Sequence, residues 1–144
     1  MSTGSPSGQG PGVAERLGLT PGMIVMEIGY DDDVDEELRS LIETHTGEGL
    51  VDEDSDEVVD VVLCWFRDND GDLADLLVDA IAPLAESGFI WLLTPKRGRD
   101  GYVEPSDIAE AAAIAGLSQT SITTAGTDWS AARLAGRRAS GARK

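Results

Sequence analysis

The chain has 144 residues, enough for one domain with a buried core, and 41% of them are apolar. Its formal charge of −16, from 27 acidic and 11 basic residues, sets the body against nucleic-acid phosphates, which need clustered Lys and Arg to hold them. The apolar runs fall short of the roughly 20 residues of a membrane span, and the first ten residues have no signal-peptide pattern, so a cytoplasmic protein without a membrane partner is expected.

In chain order, residues 1–12 are rich in Gly, Ser and Pro and read as a disordered arm. A single domain is expected over 13–135, and a disordered basic tail over 136–144. Val13 to Gly18 reads as a short helix, followed by a turn at Thr20-Pro21-Gly22. Met23 to Ile28 is almost continuously apolar, as a strand covered on both faces must be, and Gly29 closes it. From Asp33 to Thr46, Val34, Leu38, Leu41 and Ile42 recur at helical spacing, with Asp31 to Asp33 placed as caps. Leu50-Val51 reads as a very short strand before the acidic stretch Asp52 to Glu57. Val58 to Phe66 is the strongest strand and is expected at the sheet centre.

Leu73, Leu76, Leu77, Ala80, Ile81 and Leu84 give the next helix, with Pro83 shortening its end and Gly88 as its C′ residue. Phe89 to Thr94 is another buried strand, ended by Pro95. Ser106 is the expected N-cap of an alanine-rich helix, Ile108 to Ala115, stopped by Gly116. Ser118 to Thr124 and Trp129 to Ala135 read as two closing strands around a turn near Gly126-Thr127-Asp128. The alternation of strands and helices predicts an α/β fold of Rossmann-like type. Its sheet is mostly parallel, with helices on both faces and a C-terminal antiparallel strand pair.

From Asp60 onward the chain resembles the second half of a class I S-adenosylmethionine-dependent methyltransferase. Asp60-Val61-Val62-Leu63 is similar to that fold's fourth strand and Leu73 to Leu84, with Ala85-Glu86-Ser87-Gly88, to the helix after it. Phe89 to Thr94 is similar to the fifth strand, and Thr127 to Leu134 to the closing hairpin. The whole chain resembles a family of short acidic actinobacterial proteins of unknown function. That match rests on Glu15-Arg16-Leu17-Gly18, Pro21-Gly22-Met23, Glu27 to Asp33, Trp91 to Lys96 and Gly98-Arg99-Asp100-Gly101.

The methyltransferase resemblance implies a cofactor loop of several glycines after the first strand, and an acidic residue ending the second strand for the ribose hydroxyls. Here Gly29 stands alone, followed by Tyr30 and Asp31, and the span before Asp60 is too short for two full strand–helix units. Gly29, Tyr30 and Asp31 are therefore read as a vestigial cofactor pocket, closed and recharged, with no catalytic residue assigned. Lys96, Arg97 and Arg99 follow a strand, which places them at the same carboxyl edge as an anion or partner contact.

No metal site is expected. Asp31, Asp32, Asp33 and Asp35 read as helix caps and solvated charge, and Asp68, Asp70 and Asp72 as a capped helix start lacking the glycine of a calcium loop. Cys64, within an apolar run, reads as a buried thiol, and it has no second cysteine to pair with in the chain. Trp65, Trp91 and Trp129 read as core packing.

These readings predict a non-enzymatic regulatory protein that works through protein contacts, binds no cofactor, and offers the acidic helix from Asp33 to Thr46 as its surface. S-adenosylmethionine-dependent methyl transfer, or nucleotide-ligand binding, is the alternative. A second alternative is transcription regulation through the basic stretch Arg133 to Lys144, with a redox form needing Cys64 to pair between chains.

Overall fold

The computed structural model describes residues 13–125 and 128–136. The arm expected over 1–12 and the turn at Gly126-Thr127 lie outside the described residues, as does the tail expected over 136–144 except Gly136, which ends the last strand. The elements are α1 (Val13–Arg16), β1 (Val25–Ile28), α2 (Glu36–Thr46), β2 (Val51–Asp52), β3 (Val59–Trp65), α3 (Leu73–Ile81), β4 (Leu84–Pro95), α4 (Pro105–Ile114), β5 (Leu117–Ala125) and β6 (Trp129–Gly136).

The six strands form one sheet in the order β2-β1-β3-β4-β6-β5. β2, β1, β3 and β4 run parallel, while β6 is antiparallel to both β4 and β5. The chain is therefore an α/β, mostly parallel Rossmann-like domain with a C-terminal antiparallel pair. β3 lies inside the sheet as expected, and its register pairs Val61 with Val25 on one side and with Phe89 on the other.

Alternation along these strands feeds two apolar layers. On one face Val62, Cys64, Ile90 and Leu92 pack with Leu77 of α3 and Ile108 of α4. On the other, Val61, Leu63, Trp91 and Leu93 pack with Leu38 and Ile42 of α2. Apolar continuity in the strands reflects this burial on both sides.

The element ends differ from expectation for local reasons. α2 begins at Glu36, and the capping carboxylate is Asp35, which accepts the Leu38 N–H at 2.9 Å, rather than any of Asp31 to Asp33. α3 stops at Ile81, ahead of Pro83. Gly88 is not a C′ residue, because β4 already starts at Leu84 and Gly88 lies at the irregularity where β4 shifts register against β3. A side chain there would place Cβ 2.8 Å from the Asp60 carbonyl oxygen, so the close strand approach explains the glycine. α4 begins at Pro105, at the first helical position that proline favours, and Glu104 precedes it without a side-chain cap, so Ser106 is inside the helix.

The connection from β2 to β3 has no helix and crosses β1 with Glu53 to Val58 alone. At the far side of the sheet, β5 is an edge strand among the described residues, nine residues without a charge, and Ile122 on it is 61% exposed.

Candidate functional site at the carboxyl edge

β1 leads to β2 on one side, whereas β3 and β4 lie on the other, so the chain reverses direction across the sheet between β1 and β3. Open α/β sheets take ligands at the carboxyl ends of strands flanking such a reversal. Gly29 stands there, with φ of +85°. A Cβ on it would lie 2.3 Å from the Trp65 carbonyl oxygen, so the turn is packed down on the end of β3.

Arg67 occupies the crevice. Its Nη1 donates to the Gly29 carbonyl at 2.8 Å and to the Trp65 carbonyl at 3.2 Å, joining the two strand ends. Its Nε donates to Asp33 Oδ2 at 3.0 Å, its Nη2 pairs with Asp33 Oδ1, and Nη1 also reaches Asp70 at 3.2 Å. The guanidinium lies 5.3 Å from the Trp129 ring, and only 11% of the side chain is exposed. The hydrogen bond from Arg67 holds Asp33 below the usual carboxylate range, and the same bond raises the arginine pKa.

A second arginine closes the outer side of β1. Glu27 is buried and takes a two-pronged contact from Arg39, Nε to Oε2 at 2.7 Å and Nη2 to Oε1 at 2.9 Å. Trp65 Nε1 donates to Glu27 Oε2 at 2.9 Å, so the carboxylate has partners on both sides. Arg39 also binds Glu36 at 2.8 Å and lies 4.6 Å over the Tyr30 ring, whose hydroxyl donates to Glu36 at 2.7 Å. That bond raises the Tyr30 pKa and lowers that of Glu36. Beside this network runs a groove of about 610 Å³, lined among others by Gly29, Tyr30, Arg39, Leu50, Asp52 and Asp54.

Residues 14–138 match a family described as "Protein of unknown function (DUF3052)". The chain belongs to this family. It is 54% identical over 121 residues to an uncharacterized protein of Mycobacterium tuberculosis strain H37Rv, Rv2239c, a match covering 84% of this chain and 76% of the relative. An uncharacterized protein of Mycobacterium bovis, Mb2263c, matches to the same extent. Among solved structures, the fold is similar to a methyltransferase from Thiobacillus denitrificans, determined with S-adenosyl-L-homocysteine. The TM-score is 0.57 at 11% identity, over 87% of this chain and 89% of that one. It is also similar to a TehB-like methyltransferase from Corynebacterium glutamicum, with a TM-score of 0.52 at 13% identity, over 91% and 92% of the two chains. At such identities the likeness is one of fold, which is methyltransferase-like.

In this DUF3052 chain the three cofactor-turn candidates have separate surroundings. Gly29 is under Trp65 and Arg67, and Tyr30 is 54% exposed against Arg39. Asp31 is exposed and accepts the Asp32 N–H at 2.7 Å. Lys96, Arg97 and Arg99 do share the carboxyl edge, but they do not converge. Arg99 pairs with Asp128 at 3.2 Å, Arg97 stacks 5.6 Å over Tyr102, and the Lys96 N–H is bound to the Asp128 carbonyl. A second groove of about 530 Å³ runs between Arg99, Asp128, Asp33 and Trp129.

Cys64 is fully buried, and burial pushes its thiol up to about 12, away from thiolate chemistry at neutral pH. His45 is remote from it on α2, with Nε2 at 2.7 Å from the Leu19 carbonyl oxygen. Asp72 caps α3 by accepting the Asp75 N–H, and Asp70 is held by Arg67. All three tryptophans are buried, with Trp65 and Trp129 edge to face at 4.9 Å.

The sequence reading missed Arg67, Glu27 and Asp52 as members of this edge. Arg39 carried a signal, as the one basic residue among fifteen acidic ones between Glu27 and Asp60. Asp52 ends β2 in register with Glu27, one residue beyond the predicted strand.

Proposed function

We propose that this chain is a non-enzymatic protein that acts through contacts with other proteins in the cytoplasm, on a methyltransferase-like fold whose ligand crevice is filled by its own side chains. The observation that carries this reading is Arg67, bonded to the carbonyls of both Gly29 and Trp65 at the strand reversal. S-adenosylmethionine would need that space and an open glycine turn. The residues present do not fit it: Arg67 bridges the strand ends, and Gly29 is packed against Trp65. Displacing Arg67 would strand Asp33 and two carbonyl oxygens, a cost of a few kcal/mol for bonds to a charged donor.

One feature favours the second reading, a nucleotide-type ligand. Asp52 ends β2 beside the groove at Tyr30, where the methyltransferase resemblance implies a ribose-binding carboxylate.

Thermal unfolding of the full chain with about 1 mM S-adenosylmethionine, S-adenosylhomocysteine, ATP or NAD separates the two. A ligand present at a hundred times its Kd adds about 2.7 kcal/mol, which moves Tm by several degrees. The non-enzymatic reading predicts a shift below about one degree for every compound. A saturable shift of several degrees, lost in Asp52→Asn, would replace it with the nucleotide reading.

A further inference from the structure

Parallel neighbours in a sheet are joined by crossovers of a dozen or more residues, usually helical, which also cover the sheet face they cross. β1 to β2 and β3 to β4 follow this pattern, with α2 and α3. β2 to β3 does not. Glu53 to Val58 spans β1 as a bare strap, on the face that α3 covers further along. Between strap and α3 lies a groove of about 610 Å³. Ile28 of β1 lies at its floor above the buried Met26, with Leu76 and Pro83 on one wall and Val58, 70% exposed, at the end of the other.

The rim of this apolar groove has one sign of charge. Glu53, Asp54, Asp56 and Glu57 stand along the strap and Asp79 stands on α3, with no lysine or arginine lining the groove. None of the five takes part in an ion pair among the described residues. The carboxylates of the Asp33 to Thr46 region are differently placed, since Asp33, Asp35 and Glu36 are engaged by Arg67, the α2 N-terminus, and Arg39 with Tyr30. Five carboxylates without an ion pair among the described residues therefore flank the groove, beside exposed apolar surface at Val58.

From this we infer that the groove is a docking site for a basic amphipathic helix of a partner protein, which lies between the strap and α3, over Ile28 at the end of β1. This rests on the protein-contact reading above and moves its surface from α2 to the strap. A helix with apolar side chains at positions i, i+3 or i+4, and i+7 sets one stripe on Ile28, Leu76 and Val58, the lining apolar residues that keep exposed surface. Lysines and arginines on its flanks meet the strap carboxylates on one side and Asp79 on the other. Such an interface tightens at low ionic strength, because the charges at its rim are exposed to solvent.

Display selection on the immobilised full chain, with a random library of peptides about 15 residues long (four helical turns), tests this without presuming a partner. The expected enrichment is apolar residues at helical spacing flanked by Lys or Arg. Binding of the enriched peptides should weaken about tenfold or more in Val58→Asp and in the double variant Asp56→Lys, Asp79→Lys. It should be unchanged in Leu41→Asp on exposed α2, and an unaltered urea midpoint would show that the groove variants fold. Enriched peptides without that pattern, or indifferent to the groove variants, would overturn the inference. So would tighter peptide binding after deletion of residues 137–144, which would make the chain's own tail the occupant. A concentration-dependent dimer abolished by Val58→Asp would likewise assign the groove to a second copy. A failed selection with no cofactor shift removes the groove and leaves the non-enzymatic reading intact. Peptide binding together with a cofactor shift removes that reading and keeps the groove.

Discussion

Gly29→Ala separates a glycine kept for a ligand from one kept for packing. Two contributions act at this position. An L-residue at φ of +85° costs about 1–2 kcal/mol. The new Cβ would also lie 2.3 Å from the Trp65 carbonyl oxygen, and relief requires the ends of β1 and β3 to part. That movement weakens the 2.8 Å bond from Arg67 to the Gly29 carbonyl, and a hydrogen bond to a charged group contributes about 1.5–3 kcal/mol. Together these come to about 2.5–5 kcal/mol. Gly47→Ala is the matched control, because Gly47 has φ of +79° with nothing within 4 Å of where a Cβ would stand, and it should lose only the backbone contribution of about 1–2 kcal/mol. Urea unfolding of both variants measures the difference, expected at about 1.5–3 kcal/mol. Equal losses, within about 0.5 kcal/mol, would refute the packing explanation and return Gly29 to the role of an open ligand turn.

Two further outcomes follow from titrating groups. Asp33 has its pKa lowered by the hydrogen bond from Arg67, so its contribution to stability is present above the unfolded carboxyl pKa of about 3.9 and is lost as pH falls through the folded value. Urea midpoints of the wild type and Asp33→Asn should therefore differ by a constant amount from pH 5 to 8 and converge below about pH 4. A gap that persisted in acid would separate Asp33 from that linkage. Cys64, buried and pushed up to about 12, should label with a thiol reagent only at the rate of unfolding. Rapid labelling of the native protein, or a peroxide-induced dimer without loss of structure, would revive a redox role.

Much of the fold was legible because burial on both faces writes itself into runs such as Val61 to Phe66 and Phe89 to Leu93, and helical spacing into Leu73, Leu77 and Ala80. The ends were less legible. Four aspartates near α2 have equal capping chemistry, and what selects Asp35 is tertiary, since Asp33 is drawn away to Arg67, 34 residues distant in the chain. Gly88 reads like a helix stop because a glycine after a helix ordinarily is one, whereas here the approach of the Asp60 carbonyl decides it. The site was partly legible: Gly29 and Tyr30 lie at the proper edge, but the arginine that fills the crevice looks in sequence like any charge following a strand. Its burial depends on Asp33, Asp70 and two carbonyls brought together only by folding.

The uncharged edge of β5 gives the chain's acidity a task that no single carboxylate performs. Nine residues from Leu117 to Ala125 form an edge with no second neighbouring strand among the described residues, and no lysine, glutamate or proline stands on it to discourage one. Apart from the register shift between Gln119 and Ser121, protection against strand-to-strand growth then falls to repulsion between whole molecules, each bearing a formal charge of −16. That protection is collective and conditional: it fades as salt shortens the range of the repulsion and vanishes near the isoelectric point of about 4.1. Repulsion between copies thus depends on the total charge, while the fold rests on the strands.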